Sequence, residues 1–170
     1  MENNTKKLVL MAMFIALSFV GSYIKIPSPV QSIALDSMPA YLGGLALGGM
    51  EGGIIAFMGH VLTSANTGFP LSLPVHLIIA IIMFISVFLY SFTYRKANII
   101  AAGVVGILLN GIGAPLALTL LPQFGWAFFI GITPFLLLAS SINVIISLLV
   151  FLSLKKSVLI KEKGFDKGVK

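Results

Sequence analysis

Four long apolar runs decide what this chain can fold into. Leu8 to Ile24, His76 to Phe92, Ile99 to Leu121 and Trp126 to Leu154 contain no Asp, Glu, Lys or Arg. A helix needs about 20 such residues to cross about 30 Å of hydrocarbon, so the first two are near the minimum and the last has length to spare. In lipid every backbone N–H and C=O must be paired within the protein, which leaves only helices and closed barrels. Barrel strands alternate apolar and polar residues, and these runs do not. The chain therefore reads as an all-α integral membrane protein of one domain, residues 1–170. A mean hydropathy of +1.08 points the same way.

The segment from Met38 to Thr63, "MPAYLGGLALGGMEGGIIAFMGHVLT", is harder to place. As a single helix it would put Glu51 at mid-membrane and reverse every later span. The basic turn "YRKAN" and the basic tail after Leu154 would then lie opposite Lys6 and Lys7, against the positive-inside rule. A turn at "GGMEGG", with Glu51 at its tip, puts both termini and that turn on the cytoplasmic face and leaves only Lys25 outside. Six spans are expected, near 8–24, 38–50, 53–63, 76–92, 99–121 and 126–154. The second and third are short and glycine-rich, as close helix packing in lipid favours. The first run lacks a small-residue cleavage site and reads as a retained helix.

Several function classes fall away. Ten of the eleven basic residues sit at the chain ends or beside one turn, so the net charge of +6 is a topology signal and not a nucleic-acid surface. Cysteine is absent, which removes thiolate metal sites and redox motifs. No P-loop and no Ser, His and acid set is present, so neither an enzyme nor a cofactor is expected. His60 and His76 do not have the H-E-x-x-H spacing, and no metal site is expected.

The polarity that remains is gathered in three outward connections, "KIPSPVQSIALDS", "SANTGFPLSLP" and "LPQFGW". The first two are longer than a small bundle needs for joining spans. They hold Gln31, Asp36, Asn66 and Thr67, with Tyr41, Phe69 and Trp126 as neighbours. A small-molecule pocket uses this mixture, an apolar lining with a few convergent polar groups. Asp36 is either the N-cap of the helix opened by "DSMP" or a pocket carboxylate accepting ligand hydroxyls. Each histidine reads as a capping or interhelical hydrogen bond, or as a ligand donor, with His76 better placed for the latter. Asn143 reads as an interhelical bond, whereas Asn110, in the interruption "NGIGAP", fits either role.

On these residues, and above all on "SIALDSMPAYLGGLALGG" through "GGIIAFMGHVLTSANTGFPLSLPVH", the chain resembles the substrate-binding S components of energy-coupling factor (ECF) vitamin transporters. The similarity covers almost the whole chain and is strongest to the subgroup handling pantothenate and α-ribazole. It implies a six-helix bundle with a pocket near the outer side, closed by loops corresponding to Gln31–Ser37 and Ser64–Leu73. It implies that Ala12 and Ala16, an A-x-x-x-A pair on the first helix, dock on a transmembrane coupling subunit joined to two ABC ATPases, and that the subunit topples to release its vitamin inward. Pantothenate is an anion and the outer half offers only Lys25 and two histidines, so the neutral α-ribazole is the expected ligand. Pantothenate or another vitamin is the alternative. A membrane assembly protein without a small-molecule ligand is the alternative from another class.

Overall fold

The computed structural model describes residues 2–30 and 33–155, which form six helices and no strand. These are α1 (Glu2–Gly21), α2 (Met38–Ala46), α3 (Gly49–Asn66), α4 (Leu73–Lys96), α5 (Ile99–Leu118) and α6 (Trp126–Lys155). Four of them, α1, α4, α5 and α6, are long and apolar enough to cross a membrane. The chain is a multi-pass membrane bundle.

Between α1 and α4 the helices depart from the expected bounds, for local reasons. The hairpin turns at Leu47–Gly48, ahead of Glu51, because Gly48 supplies a φ of +135° that favours glycine. Glu51 instead lies in the first turn of α3, where a negative charge suits the helix dipole, and it pairs with Lys7 of α1. Further along, the Thr63 and Ser64 hydroxyls bond back to the Gly59 and His60 carbonyls at 3.0 and 2.8 Å. Polar residues that would otherwise break the helix are absorbed into it, and α3 runs on to Asn66. Pro74 stands in the first turn of α4, where its missing N–H costs nothing, and that helix starts at Leu73.

The main surprise is α2. Nine residues span only about 14 Å, half of the hydrocarbon. The helix occupies the half of the bundle that carries Lys7, Glu51 and Arg95, here called the basic half. Ser91 of α4 donates to the Gly44 carbonyl at 2.6 Å, and Tyr41 donates to the Gly106 carbonyl at 3.2 Å. A side chain at Gly52 would run into the backbone of Gly44, so only glycine lets α3 lie this close to α2.

The N-terminus of α2 thus stops at mid-depth, and Asn143 of α6 receives it. Asn143 Oδ1 accepts from Met38 N at 2.8 Å, while Nδ2 donates to the carbonyls of Ala34 at 3.2 Å and Ala139 at 2.9 Å. The other half of this column is filled by the connection after α1, whose Val30, Ile33, Ala34, Asp36 and Ser37 are buried. Irregular backbone is tolerated at such depth only inside protein.

Replacing Asn143 with Ala leaves an N–H and a C=O unpaired in an apolar interior, at about 1–3 kcal/mol each. Asn143→Ala is therefore expected to melt well below the wild-type protein in detergent. An unchanged melting temperature would remove Asn143 from this role.

Candidate ligand pocket

Above α2, on the half opposite the basic end, the connection and α3–α6 enclose a cavity of about 70 Å³. Its walls are mostly apolar, with Ile79 and Met83 from α4, Leu118 from α5, and Phe128, Ile132 and Leu136 from α6. Asp36, Ser37, His60, Asn110 and Asn143 supply the polar groups. Pockets for drug-sized ligands measure about 300–1,000 Å³, so a molecule of that size must part these walls to enter.

Asp36 comes from the connection, outside the spanning helices, and is carried inward by the descent to α2. Burial pushes its carboxyl up from 3.8 to about 6, against the opposing influence of the neighbouring Thr63, of backbone amides and of the charge of Lys25. It does not end the helix as a side-chain cap. The N-cap residue is Ser37, which makes no side-chain cap bond, and Asn143 does that work from across the bundle.

Asn110 is aimed by an irregularity in α5. Residues Leu109–Gly113 form a π turn just before Pro115, which has no N–H to offer the Gly111 carbonyl. Gly111 lets this widened turn press on α6, since a Cβ there would meet Leu137 Cα at 3.0 Å. Asn110 Nδ2 donates to Ser140 Oγ at 3.0 Å, which leaves its side-chain oxygen as the acceptor of the pair.

His60 enters from α3. Its Nε2 lies 3.2 Å from both His76 Nδ1 and Ser64 Oγ. His76 is fully buried one layer behind, with the Phe69 ring 5.9 Å away.

The remaining expected site residues are dispersed. Gln31 lies outside the described residues. Tyr41 belongs to the core beneath the cavity, edge-on to Tyr90 at 5.0 Å. Asn66 is exposed and donates to Ser22 Oγ at 3.3 Å, tying the end of α3 to that of α1. Thr67 bonds back to the Thr63 and Ser64 carbonyls and borders a shallow outer depression with Lys25 and Ser28. Trp126 is 65% exposed at the mouth of the bundle. Of the nine residues, Asp36 and Asn110 meet at the cavity, joined there by His60, Ser37 and Asn143. His60 and Asn143 share one visible signal, a strong hydrogen-bonding group inside an apolar helix.

The chain is thus a multi-pass membrane protein with a small, mostly apolar cavity bordered by a few polar groups. Residues 6–154 match the family described as ECF transporter, substrate-specific component, and the chain belongs to that family. Its members are transport subunits of the cell membrane, not enzymes, and work with a transmembrane coupling subunit and ABC ATPases. The chain is also similar to a probable biotin transporter, BioY, of Lysinibacillus sphaericus, with 43% identity over 51 residues. That match covers 30% of this chain and 26% of the relative, so the chain spans about a quarter of the length of the curated relative it matches. No solved structure matches the chain.

Because the native carboxyl of Asp36 holds its proton up to about 6, against 3.8 ordinarily, the folded state binds that proton more tightly than the unfolded chain. Stability should therefore fall as pH rises from about 4 to 6 and level off above, by on the order of 3 kcal/mol. Thermal melts across this range should show that slope in the wild-type protein and a much flatter curve in Asp36→Asn. Equal slopes would place the titration elsewhere.

Proposed function

We propose that the chain is the substrate-capturing subunit of an ECF importer and that its vitamin is of the biotin type, a compact ring system with a neutral urea head. The observation that carries this reading is that Asp36 and Asn110 border one apolar cavity, each offering a hydrogen-bond acceptor. A cyclic urea presents two N–H donors, and its fused ring and alkyl arm suit walls such as Ile79, Met83 and Phe128. Lys25, near enough to influence Asp36, is the cation on this side for a carboxylate at the end of such an arm. The partial similarity to a probable biotin transporter supports the same class.

α-Ribazole needs an aromatic lining, and Tyr41, Phe69 and Trp126, the aromatic neighbours of the polar connections, do not border the cavity. Pantothenate, also a carboxylate, is the alternative; it has no ring system to fill the mostly apolar walls. An assembly protein would have no use for a carboxyl buried beside a cavity.

Lys7, Arg95, Lys96 and Lys155 stand at helix ends on the basic side, and the positive-inside rule supports a cytoplasmic location for both termini. The basic tail beyond Lys155 lies outside the described residues. The cavity then opens toward the outside. Ala12 and Ala16 lie on the exposed face of α1, four residues apart, where a helix of the coupling subunit can approach closely. The captured vitamin is delivered inward by toppling of the whole subunit.

Calorimetric titration of the detergent-purified protein with biotin, pantothenate and α-ribazole tests the ligand class. Saturable binding of biotin is expected, weakened about 10- to 100-fold in Asp36→Ala, which loses a hydrogen bond to a charged group. Saturation by pantothenate or α-ribazole in place of biotin would overturn the biotin reading. The docking face has its own test. Ala12→Trp with Ala16→Trp should abolish co-purification with the coupling subunit while leaving vitamin binding within about twofold, and normal co-purification would remove that face from the interface.

A further inference from the structure

One placement of protons satisfies the hydrogen bonds behind the cavity together. The Leu71 N–H donates to His76 Nε2 at 3.4 Å, so that nitrogen is the acceptor and His76 carries its hydrogen on Nδ1. His76 Nδ1 in turn faces Ser64 Oγ at 2.9 Å and His60 Nε2 at 3.2 Å. Ser64 gives its own hydrogen to the His60 carbonyl at 2.8 Å, which frees its oxygen to accept from His76. His60 Nε2 faces the same His76 hydrogen at 3.2 Å and, as its second acceptor, carries no hydrogen of its own in this placement.

The hydrogen of His60 therefore sits on Nδ1. Among the described residues no protein group accepts it, and the one side-chain polar atom both enclosed and unpartnered is Ser18 Oγ. His60 is a residue of the cavity wall, and its Nδ1–H is the group that a bound molecule could satisfy. The start of the chain of bonds is also held in place. Leu71 belongs to a short connection in which Phe69 and Ser72 have φ of 51° and 83°, a region that non-glycine residues occupy only when surrounding contacts hold them there.

We propose that Leu71, His76 and His60 form a hydrogen-bond relay that fixes the tautomer of His60, so that its Nδ1–H reads an acceptor atom on the ligand, a carbonyl oxygen in particular. This rests on the biotin-type reading for the identity of that atom. The cavity then offers two acceptors, Asp36 and Asn110, and one donor, His60, the complement of a urea with two N–H groups and one C=O. His60 is a specificity determinant. His76 and the Leu71 amide are positioning groups that act through it.

The chain has only two histidines, so nitrogen NMR of the full chain, labelled with 15N-histidine and held in lipid nanodiscs without ligand, reads both tautomers. Both rings should show a protonated Nδ1 and an unprotonated Nε2. A hydrogen on His60 Nε2 would overturn the relay. In His76→Phe the His60 signals should shift toward a mixture of tautomers, and an unchanged His60 would overturn it equally.

The donor role is read with biotin and 2-thiobiotin, which keep the same N–H groups while sulfur replaces the carbonyl oxygen as a weaker acceptor. Wild-type protein should prefer biotin by about tenfold, the worth of one neutral hydrogen bond. His60→Phe should lose that preference, and a preference equal to wild type would refute the donor role. If biotin does not bind while the tautomers are as assigned, the biotin-type reading falls and the relay stands.

Discussion

A helix cannot begin in the middle of a membrane unless something accepts its exposed N–H groups, and in this bundle that something is one amide, Asn143. It binds the first amide of α2 and the Ala34 carbonyl just ahead of it, so a single side chain supports both the half-length helix and the connection that feeds it. The rest of the architecture depends on that arrangement. With α2 confined to the basic half, the opposite half of its column is open to a folded connection, and a folded connection can carry a carboxyl where a spanning helix could not afford one.

The cavity follows from the same geometry. An α2 of full length would fill this space with side chains, as the basic half is filled by Tyr41, Tyr90, Val144 and Phe151. Stopping it short leaves a gap roofed by Val30 and Ile33 and floored by the helix start. The π turn of α5 is a second local departure from regular structure, and it serves the same volume by bringing Asn110 round to it. Polar groups thus reach an apolar interior through a broken column and a widened turn, and each break is matched by a hydrogen bond from another helix.

The four long helices were legible in the sequence because hydrophobic length is a local property. So was the placing of Glu51 at the end that carries Lys7, because a carboxylate at mid-membrane is costly wherever the chain goes next. The depth of α2 was not legible. "MPAYLGGLALGG" reads as a complete short span, and nothing local says that its N-terminus would find a cap on a residue 105 positions later. The same limit dispersed the expected site. Asn66, Thr67 and Trp126 look like ligand groups because they are polar or aromatic near a connection, and their places are set by where α3 ends and α6 begins. His60 and Asn143 looked structural because each sits within a helix. The two roles are not exclusive, since Asn143 holds backbone and borders the cavity together.

The packing beneath the cavity bears on how a captured molecule could leave. Tyr41 and Tyr90 stand edge-on directly below, and the glycine contact between α2 and α3 leaves no space for a side chain, let alone a vitamin. A path straight through toward the basic end would have to separate α2 from α3, α4 and α5, breaking the Ser91–Gly44 and Tyr41–Gly106 hydrogen bonds in an apolar setting where no water replaces them. The outer wall is easier to move. It consists of a connection and the ends of α5 and α6, which pack through side chains such as Leu71 and Phe128. A pocket that opens only toward its mouth can release inward only if the mouth itself is carried inward. The solid basic half is thus the physical reason that tilting of the whole body, proposed above as the delivery step, suits this bundle better than an internal gate.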